Sequence, residues 1–427
     1  MNIKSLLLGS AAAMVAVSGA QAADAIVVEP EPVEYVRVCD AYGSGFFFIP
    51  GTETCIRFSG FVRSSYEKEY LDRSVALDAL TGTDGTAAPV ATGDLDFTFW
   101  GQRARLNIDV RSETDWGTLR AQYRLEGGDS NEDADIDMDR ALISLAGFRA
   151  GFSDNYWSTN HGYAGVNLTG IAGVNGGRYE DDGFYGFNDA TLFDYTWAAD
   201  GFSVTVGVED PRINFANNGI AGIGNTIEAF GGDTTTAFAN FYAGFNWNID
   251  AFTLAFTAVH DSQAIDYADT FASGTNQHGV WAFKVSANLD LSEFIPGGIL
   301  YGSYMWDDDG ATNYVHANGA LADPESIYTI AFQADLTDEL EFVAQYSYAE
   351  GSDAISTITS GAIANEDDAW LGTVGLNWFP AAAPGFSIRG SYRYGEANRV
   401  ALSDGAGGFT VHDEEVSGWF VGVRRDF

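Results

Sequence analysis

From Ile56 onward, apolar and polar residues alternate. Ile56, Phe58, Gly60 and Val62, then Tyr66 and Tyr70, fall at even positions, and Arg57, Ser59, Arg63, Ser65 and Glu67 fall between them, with Phe61 as the exception. A period of two puts successive side chains on opposite faces of a strand. The run therefore predicts a strand with one apolar and one charged face. Ala104, Leu106, Ile108 and Val110 alternate in the same way with Arg103, Arg105, Asn107, Asp109 and Arg111. After a tight turn at Glu113–Gly117, Leu119, Ala121, Tyr123 and Leu125 alternate with Arg120, Gln122, Arg124 and Glu126. Further strands are expected at Arg140–Leu145, Phe148–Phe152, Leu192–Trp197, Phe202–Val208, Phe238–Trp247, Phe252–His260 and Val280–Leu289. Others are expected at Ile299–Trp306, Ile327–Ala334, Leu340–Tyr348, Ala369–Trp378, Phe386–Tyr394 and Val416–Phe427, sixteen in all.

The connections carry more information than the strands. Short links, Ser112–Gly117, Ala198–Gly201, Asn248–Ala251, Asp335–Glu339 and Phe379–Gly385, alternate with long ones. The long links are Leu71–Asp94, Gly127–Asp137, Ser153–Ala190, Glu209–Ala237, Asp261–Gly279, Asp307–Ser326, Ala349–Asp368 and Gly395–Glu415. A transmembrane antiparallel β-barrel has this layout, with short periplasmic turns and long extracellular loops. A soluble sandwich or propeller has no reason to gather every long loop at one end. The fold class expected is thus all-β, a 16-strand barrel.

The N-terminus sets the compartment. Lys4, an apolar run from Leu6 to Val17 and the Ala20-Gln21-Ala22 site form a secretory signal, so residues 1–22 are expected to be removed. The run is too short to span a bilayer, which takes about 20 apolar residues. Residues 23–54 read as a periplasmic segment and 55–427 as the barrel. The two cysteines, Cys39 and Cys55, lie in an oxidising compartment where a pair is expected to bond, the alternative being two free buried thiols. Lys+Arg is 21 against Asp+Glu 60, a net charge of −39 that excludes nucleic acid as a partner. The 46% hydrophobic content excludes disorder. Mean hydropathy of −0.07 says nothing about membranes, because a barrel showing lipid every second residue averages near neutral.

The run EYVRVCDAYGSGFFFIPGTETCIRFSGFVR, Glu34 to Arg63, closely resembles the start of the general porins of alphaproteobacteria such as rhizobia, Brucella and their relatives. The signal peptide, the strand number and a C-terminal aromatic, Phe427, agree with that family. In such barrels the last aromatic serves as a signal to the barrel assembly machinery. Arg425 departs from the pattern, since an apolar residue is usual at that place; snorkelling at the interface accounts for it. The resemblance implies a homotrimer in the bacterial outer membrane, among its lipid and lipopolysaccharide. It also implies passive diffusion of small hydrophilic solutes and a third long loop folded into the lumen. Here that loop is Ser153–Ala190, which carries Glu180, Asp181 and Asp182.

Opposite the loop, the polar faces hold Arg57, Arg63, Arg103, Arg105, Arg111, Arg120 and Arg124, joined by Arg389 and Arg393 on the fifteenth strand. If the last strand pairs with the first, these nine form one basic wall facing an acidic loop, and a transverse field crosses the pore. The alternative is that the arginines solvate the wall and pair with Asp109, Glu67 and Glu126. Tyr66, Tyr346, Tyr348, Tyr392 and Trp419 on the apolar faces suit interfacial girdles or a contact with a neighbouring subunit.

Other chemistry finds little footing. Asp129, Asn131 and Asp133 resemble a calcium loop, but Ala134 and Arg140 stand where its glycine and glutamate belong. Asp307-Asp308-Asp309-Gly310 reads as solvated loop, and the five histidines lack metal spacing. No metal, cofactor or catalytic residue is expected. The reading is a general diffusion porin. A sugar- or oligosaccharide-specific channel, with Tyr156 and Trp157 starting an aromatic track, is the main rival, and an outer-membrane barrel enzyme a lesser one.

Overall fold

The computed structural model describes residues 37–74, 95–130, 134–160, 189–209, 239–262, 280–307, 314, 325–350, 356–358, 361–363, 368–401 and 410–427. The expected signal 1–22, residues 23–36 of the expected periplasmic segment, Asn131, Asp133, Glu180, Asp181, Asp182, Asp308, Asp309 and Gly310 lie outside the described residues.

The barrel strands are β1 Cys55–Ser74, β2 Leu95–Thr114, β3 Gly117–Ser130, β4 Ala134–Leu145, β5 Phe148–Asp154, β6 Asp189–Ala199, β7 Phe202–Glu209 and β8 Asn240–Ile249. They continue as β9 Phe252–Asp261, β10 Val280–Asp290, β11 Ile299–Asp307, β12 Ser326–Thr337, β13 Leu340–Glu350, β14 Ala369–Trp378, β15 Phe386–Ala401 and β16 Thr410–Asp426. Each pairs antiparallel with its chain neighbours, and β16 pairs with β1, so the sheet closes. A two-residue strand, Phe47–Phe48, adds to the start of β1 and makes the sheet 17-stranded. Closure leaves no edge with bare backbone groups, which hydrocarbon would not tolerate.

Seven short turns sit at the end that also holds Phe427. Ala146–Gly147 and Asp200–Gly201 join their hairpins with positive φ at both residues (51° and 89°; 48° and 79°). Such turns match the twist of the strands they join. The other end carries the longer connections, but the strands reach further into them than the alternation suggested. β1 runs to Ser74, β15 to Ala401 and β16 starts at Thr410. The expected long loop Gly127–Asp137 is largely strand, since β3 runs to Ser130 and β4 starts at Ala134. The alternation of apolar and polar residues fades in the sequence of these strand ends, as in Gly127-Gly128-Asp129-Ser130, so period two does not mark them. A short hairpin, Ser356–Ile358 with Gly361–Ile363, lies within the Ala349–Asp368 connection.

The outward face is apolar and aromatic. Rings stack from strand to strand along Phe202, Phe245, Phe256, Phe283 and Trp306, with centroids 5.7–6.3 Å apart. Tyr66 packs between Trp100 and Trp419 on the same side, and Tyr346, Tyr348 and Tyr392 also face outward. Phe427 exchanges backbone hydrogen bonds with Gly60 (2.9 and 3.0 Å), which seals the last strand to the first. Arg425 turns down to donate to the Pro384 carbonyl on the β14–β15 turn, a snorkelling contact that explains its place among apolar residues.

Before β1, Cys39 and Cys55 are joined by a disulfide, with Cα atoms 6.1 Å apart. Phe46 packs against the bond, with Tyr42 and Phe48 at its edges, and this small core sits on the inward side of β1.

Candidate functional site

Inward-facing side chains divide the barrel into two unlike halves. On β15, β16 and β1–β5 they include twelve arginines: Arg57, Arg63, Arg103, Arg105, Arg111, Arg120, Arg124, Arg140, Arg149, Arg389, Arg393 and Arg424. The nine strands β6–β14 carry one cationic residue, Lys284.

All nine arginines expected on the wall face inward, and closure of β16 on β1 brings both groups together. They form separate clusters. Nearest the short turns, Asp109 accepts paired bonds from Arg111 and from Arg120 (3.0 and 2.8 Å each), and Arg57 approaches at 3.6 Å. The disulfide core touches this cluster, because the Phe46 ring lies 4.7 Å from the Arg57 guanidinium and 4.9 Å from that of Arg111. A guanidinium over a ring face is attracted by the ring quadrupole.

Further along the wall, Glu126 binds Arg103 and Arg105, while Asp139 binds Arg124 at 2.7 Å and Arg105 at 3.9 Å. Asp139 reaches inward because the β3–β4 register shifts between Arg124 and Leu125, where a bulge re-aims one side chain. Asp154 binds Arg140 and lies 3.4 Å from Arg124. The exception at Phe61 has a reason here: it lies under Arg424 (4.0 Å) and Arg105 (5.3 Å). Arg393 is 3% exposed between Glu67 (3.2 Å) and Glu69 (2.9 Å), so its charge is spent inside the wall. Arg389 stands 5.8 Å from the Phe379 ring. The pairing with Asp109, Glu67 and Glu126 that the sequence suggested is thus present, but pairing and lumen exposure coexist at most sites.

One arrangement is costly. Arg424 stands directly across from Arg63, and Arg63 from Arg103. Like charges opposite one another on neighbouring strands destabilise a sheet.

The third long connection starts at Asp154 and turns into the lumen as the helical turn Tyr156–Thr159 (α1), capped by the Asn155 side chain, which accepts from Ser158 N at 2.8 Å. The turn lies against β8–β10. Tyr156 stacks on Tyr242 at 5.5 Å, in space left by Gly244, where a Cβ would come within 2.6 Å of the Tyr156 ring. Tyr242 donates to Asp194 at 2.7 Å, and Asp194 is bound by Arg149. Asn160 donates to Phe256 O and Thr257 Oγ1, both at 3.0 Å. Lys284 donates to the Trp157 carbonyl and stands 5.3 Å from its ring. Tyr314, from the connection after β11, packs 5.7 Å from Trp157 and donates to Glu209. Tyr156 and Trp157 are 7% and 1% exposed, so both rings are anchors and neither offers a track to a solute.

Sequence reasoning passed over Arg140, Arg149 and Arg424, the carboxylates Asp139, Asp154 and Asp194, and Lys284. Among the described residues no group of His, Cys, Asp and Glu is arranged to hold a metal ion.

A family model described as Porin subfamily matches residues 24–418. The chain belongs to this porin family. Porin Omp2a of Brucella ovis is 45% identical over 190 residues, which is 39% of this chain and 49% of that relative. Porin Omp2b of Brucella suis biovar 1 is 36% identical over 310 residues, 68% of this chain and 76% of the relative. The chain therefore spans about half the length of the first and three quarters of the second. In fold it is similar to the outer membrane channel DcaP of Acinetobacter baumannii, with a TM-score of 0.57 at 12% identity over 89% of this chain and 99% of that one. Porin membership implies an outer-membrane β-barrel channel rather than an enzyme.

Proposed function

We propose that this porin is a general diffusion channel, a water-filled barrel that lets small hydrophilic solutes and ions cross the outer membrane passively. The observation that carries the reading is the division of the inner wall, twelve arginines on one side and a single lysine among nine strands on the other. A lumen with such walls has a transverse field in which ions and dipolar solutes are ordered, while apolar solutes must disturb oriented water. The nine predicted arginines form the basic side. Glu180, Asp181 and Asp182 of the third loop add to the opposite side and narrow the passage.

In this reading residues 1–22 are a cleaved signal, residues 23–54 a periplasmic segment, and residues 55–427 the barrel. The working form is a homotrimer set in lipid and lipopolysaccharide, delivered by the barrel assembly machinery through Phe427. The burial of Tyr156 and Trp157 favours a size-limited pore over a sugar-selective one. Planar-bilayer recording should give stable ohmic conductance. Liposome swelling should fall smoothly with sugar size, whereas saturation by one sugar family would replace the reading with that of a specific channel.

A further inference from the structure

Lys284 is the one cationic residue on nine consecutive strands, and it is buried, with 2% of its surface exposed. Its cross-strand neighbours are Thr257 and Met305, and Ala282 and Ser286 flank it on the inward face of β10. None of these is a counter-charge. A lysine is among the most costly side chains to bury, and an ammonium persists in such a place only when something specific satisfies it. At 2% exposure it does not meet passing ions, so the pore charge of this half does not explain it.

What satisfies it is one residue of the third loop. The ammonium donates to the backbone carbonyl of Trp157, 127 positions away in the chain, and faces the ring of the same residue at 5.3 Å. A charged donor on a carbonyl makes a stronger hydrogen bond than a neutral pair, and a cation–π contact gains strength where water is excluded. The contact lies at mid-height in the wall, since Thr257 opposite Lys284 is near the middle of β9, Phe252–Asp261. The remaining anchors act on the residues either side: Tyr156 on Tyr242, and Asn160 on Phe256 and Thr257. Tyr314 closes over Trp157 from another connection.

We propose that Lys284 is the positioning residue that sets the pore's size limit, by fixing the root of the third loop against β8–β10 through Trp157. It touches no solute; it acts through the loop. This inference rests on the diffusion-channel reading. Losing a charge-assisted hydrogen bond should shift the balance of docked and undocked loop by about tenfold or more.

The test uses the full-length protein reconstituted in liposomes and planar bilayers. Lys284→Met keeps the length and removes the charge. It should move the sugar size at which swelling stops upward and raise open-channel current noise, while the barrel keeps its resistance to detergent at room temperature. Lys284→Arg, which can still donate to the carbonyl, should restore most of the limit. Trp157→Ala should give the same phenotype, and the double variant should be no worse than Trp157→Ala alone. Lys68→Met, an outward-facing lysine, should change nothing. An unchanged size limit and noise in a folded, conducting Lys284→Met channel would overturn the proposal, as would additive effects in the double variant. If the unaltered protein gave no conductance, the diffusion-channel reading itself would fail.

Discussion

The two halves of the barrel solve opposite problems with the same strand geometry. The wall of β15, β16 and β1–β5 keeps cations at a water-filled surface, so most of its arginines are braced by a carboxylate or a ring yet retain exposure, while Arg63 and Arg393 are buried in the wall. Arg111 and Arg120 share Asp109, with side chains 22% and 32% exposed. The wall of β6–β14 holds a peptide segment in place, so it uses glycine gaps, stacked tyrosines and buried polar anchors. Gly244 makes room for Tyr156, and Asp194, Asn240 and Thr257 are each no more than 1% exposed. Charge belongs to the first half and shape to the second. The field therefore does not depend on the loop's own acids: the strands alone already set many arginines against one lysine.

Asp194 joins the halves, and breaking it should have the largest effect. Its side chain is fully buried and takes Arg149 from the basic wall and Tyr242 from the loop-bearing wall. Removing one member of a buried ion pair leaves the other uncompensated and costs about 3–5 kcal/mol. Asp194→Ala should lower the urea midpoint of the micelle-solubilised barrel by that order. Asp194→Asn, which still accepts from Tyr242, should lose less. Equal losses for the two would mean that the ion pair contributes nothing.

How much of this was legible in the sequence follows the same division. The basic wall could be read because period two displays it: Arg103, Arg105 and Arg111 mark their face without help. Arg140 and Arg149 were in phase too, but Leu142 and Gly151 on the same face blurred the alternation. Arg424 was hidden because its strand puts Phe420 and Gly422 inward. The disulfide followed from compartment, but its packing beneath Arg57 and Arg111 did not, since nothing local links Phe46 to residues so far along the chain. The loop anchors were the least legible, for Tyr156 and Trp157 look the same in sequence whether they line a pore or fasten to its wall. One simple signal was available. Lys284 and Arg212 are the only cations between Arg178 and Arg389, and an isolated lysine in a strand pattern asks for a reason.

One methyl group at Gly244 separates shape from charge. At Gly244 a Cβ would meet Phe256 O at 2.4 Å and the Tyr156 ring at 2.6 Å, so Gly244→Ala should cost about 1–3 kcal/mol through overpacking. Because the loop's aromatic anchor must move, channel noise should rise with it. Gly302→Ala, where the nearest atom is 3.9 Å away, should stay within about 0.5 kcal/mol. A quiet, fully stable Gly244→Ala channel would show that Tyr156 is not fastened in that gap.

The smallest stability change, and the sharpest test of the division, is expected along the row Arg424, Arg63 and Arg103. Replacing Arg103 or Arg424, which are partly exposed and paired with Glu126 and Asp426, with Gln removes a hydrogen-bonded charge but also relieves like-charge repulsion across the strands, so stability should move by about 1 kcal/mol or less. Selectivity should respond more. A unit charge a few ångströms from a permeating ion in water is worth about 0.5–1 kcal/mol, with opposite sign for cation and anion, so losing an arginine raises the cation-to-anion permeability ratio by up to about five- to thirtyfold before salt screening reduces it. Reversal potentials in asymmetric salt read this directly, and the effect should shrink as ionic strength rises. The same variants should leave the sugar size limit where it was, whereas Lys284→Met should move the size limit more than the reversal potential. If the arginine and lysine variants shifted both properties in the same proportion, charge and shape would not be divided between the two walls, and the lumen would have to be treated as a single coupled surface.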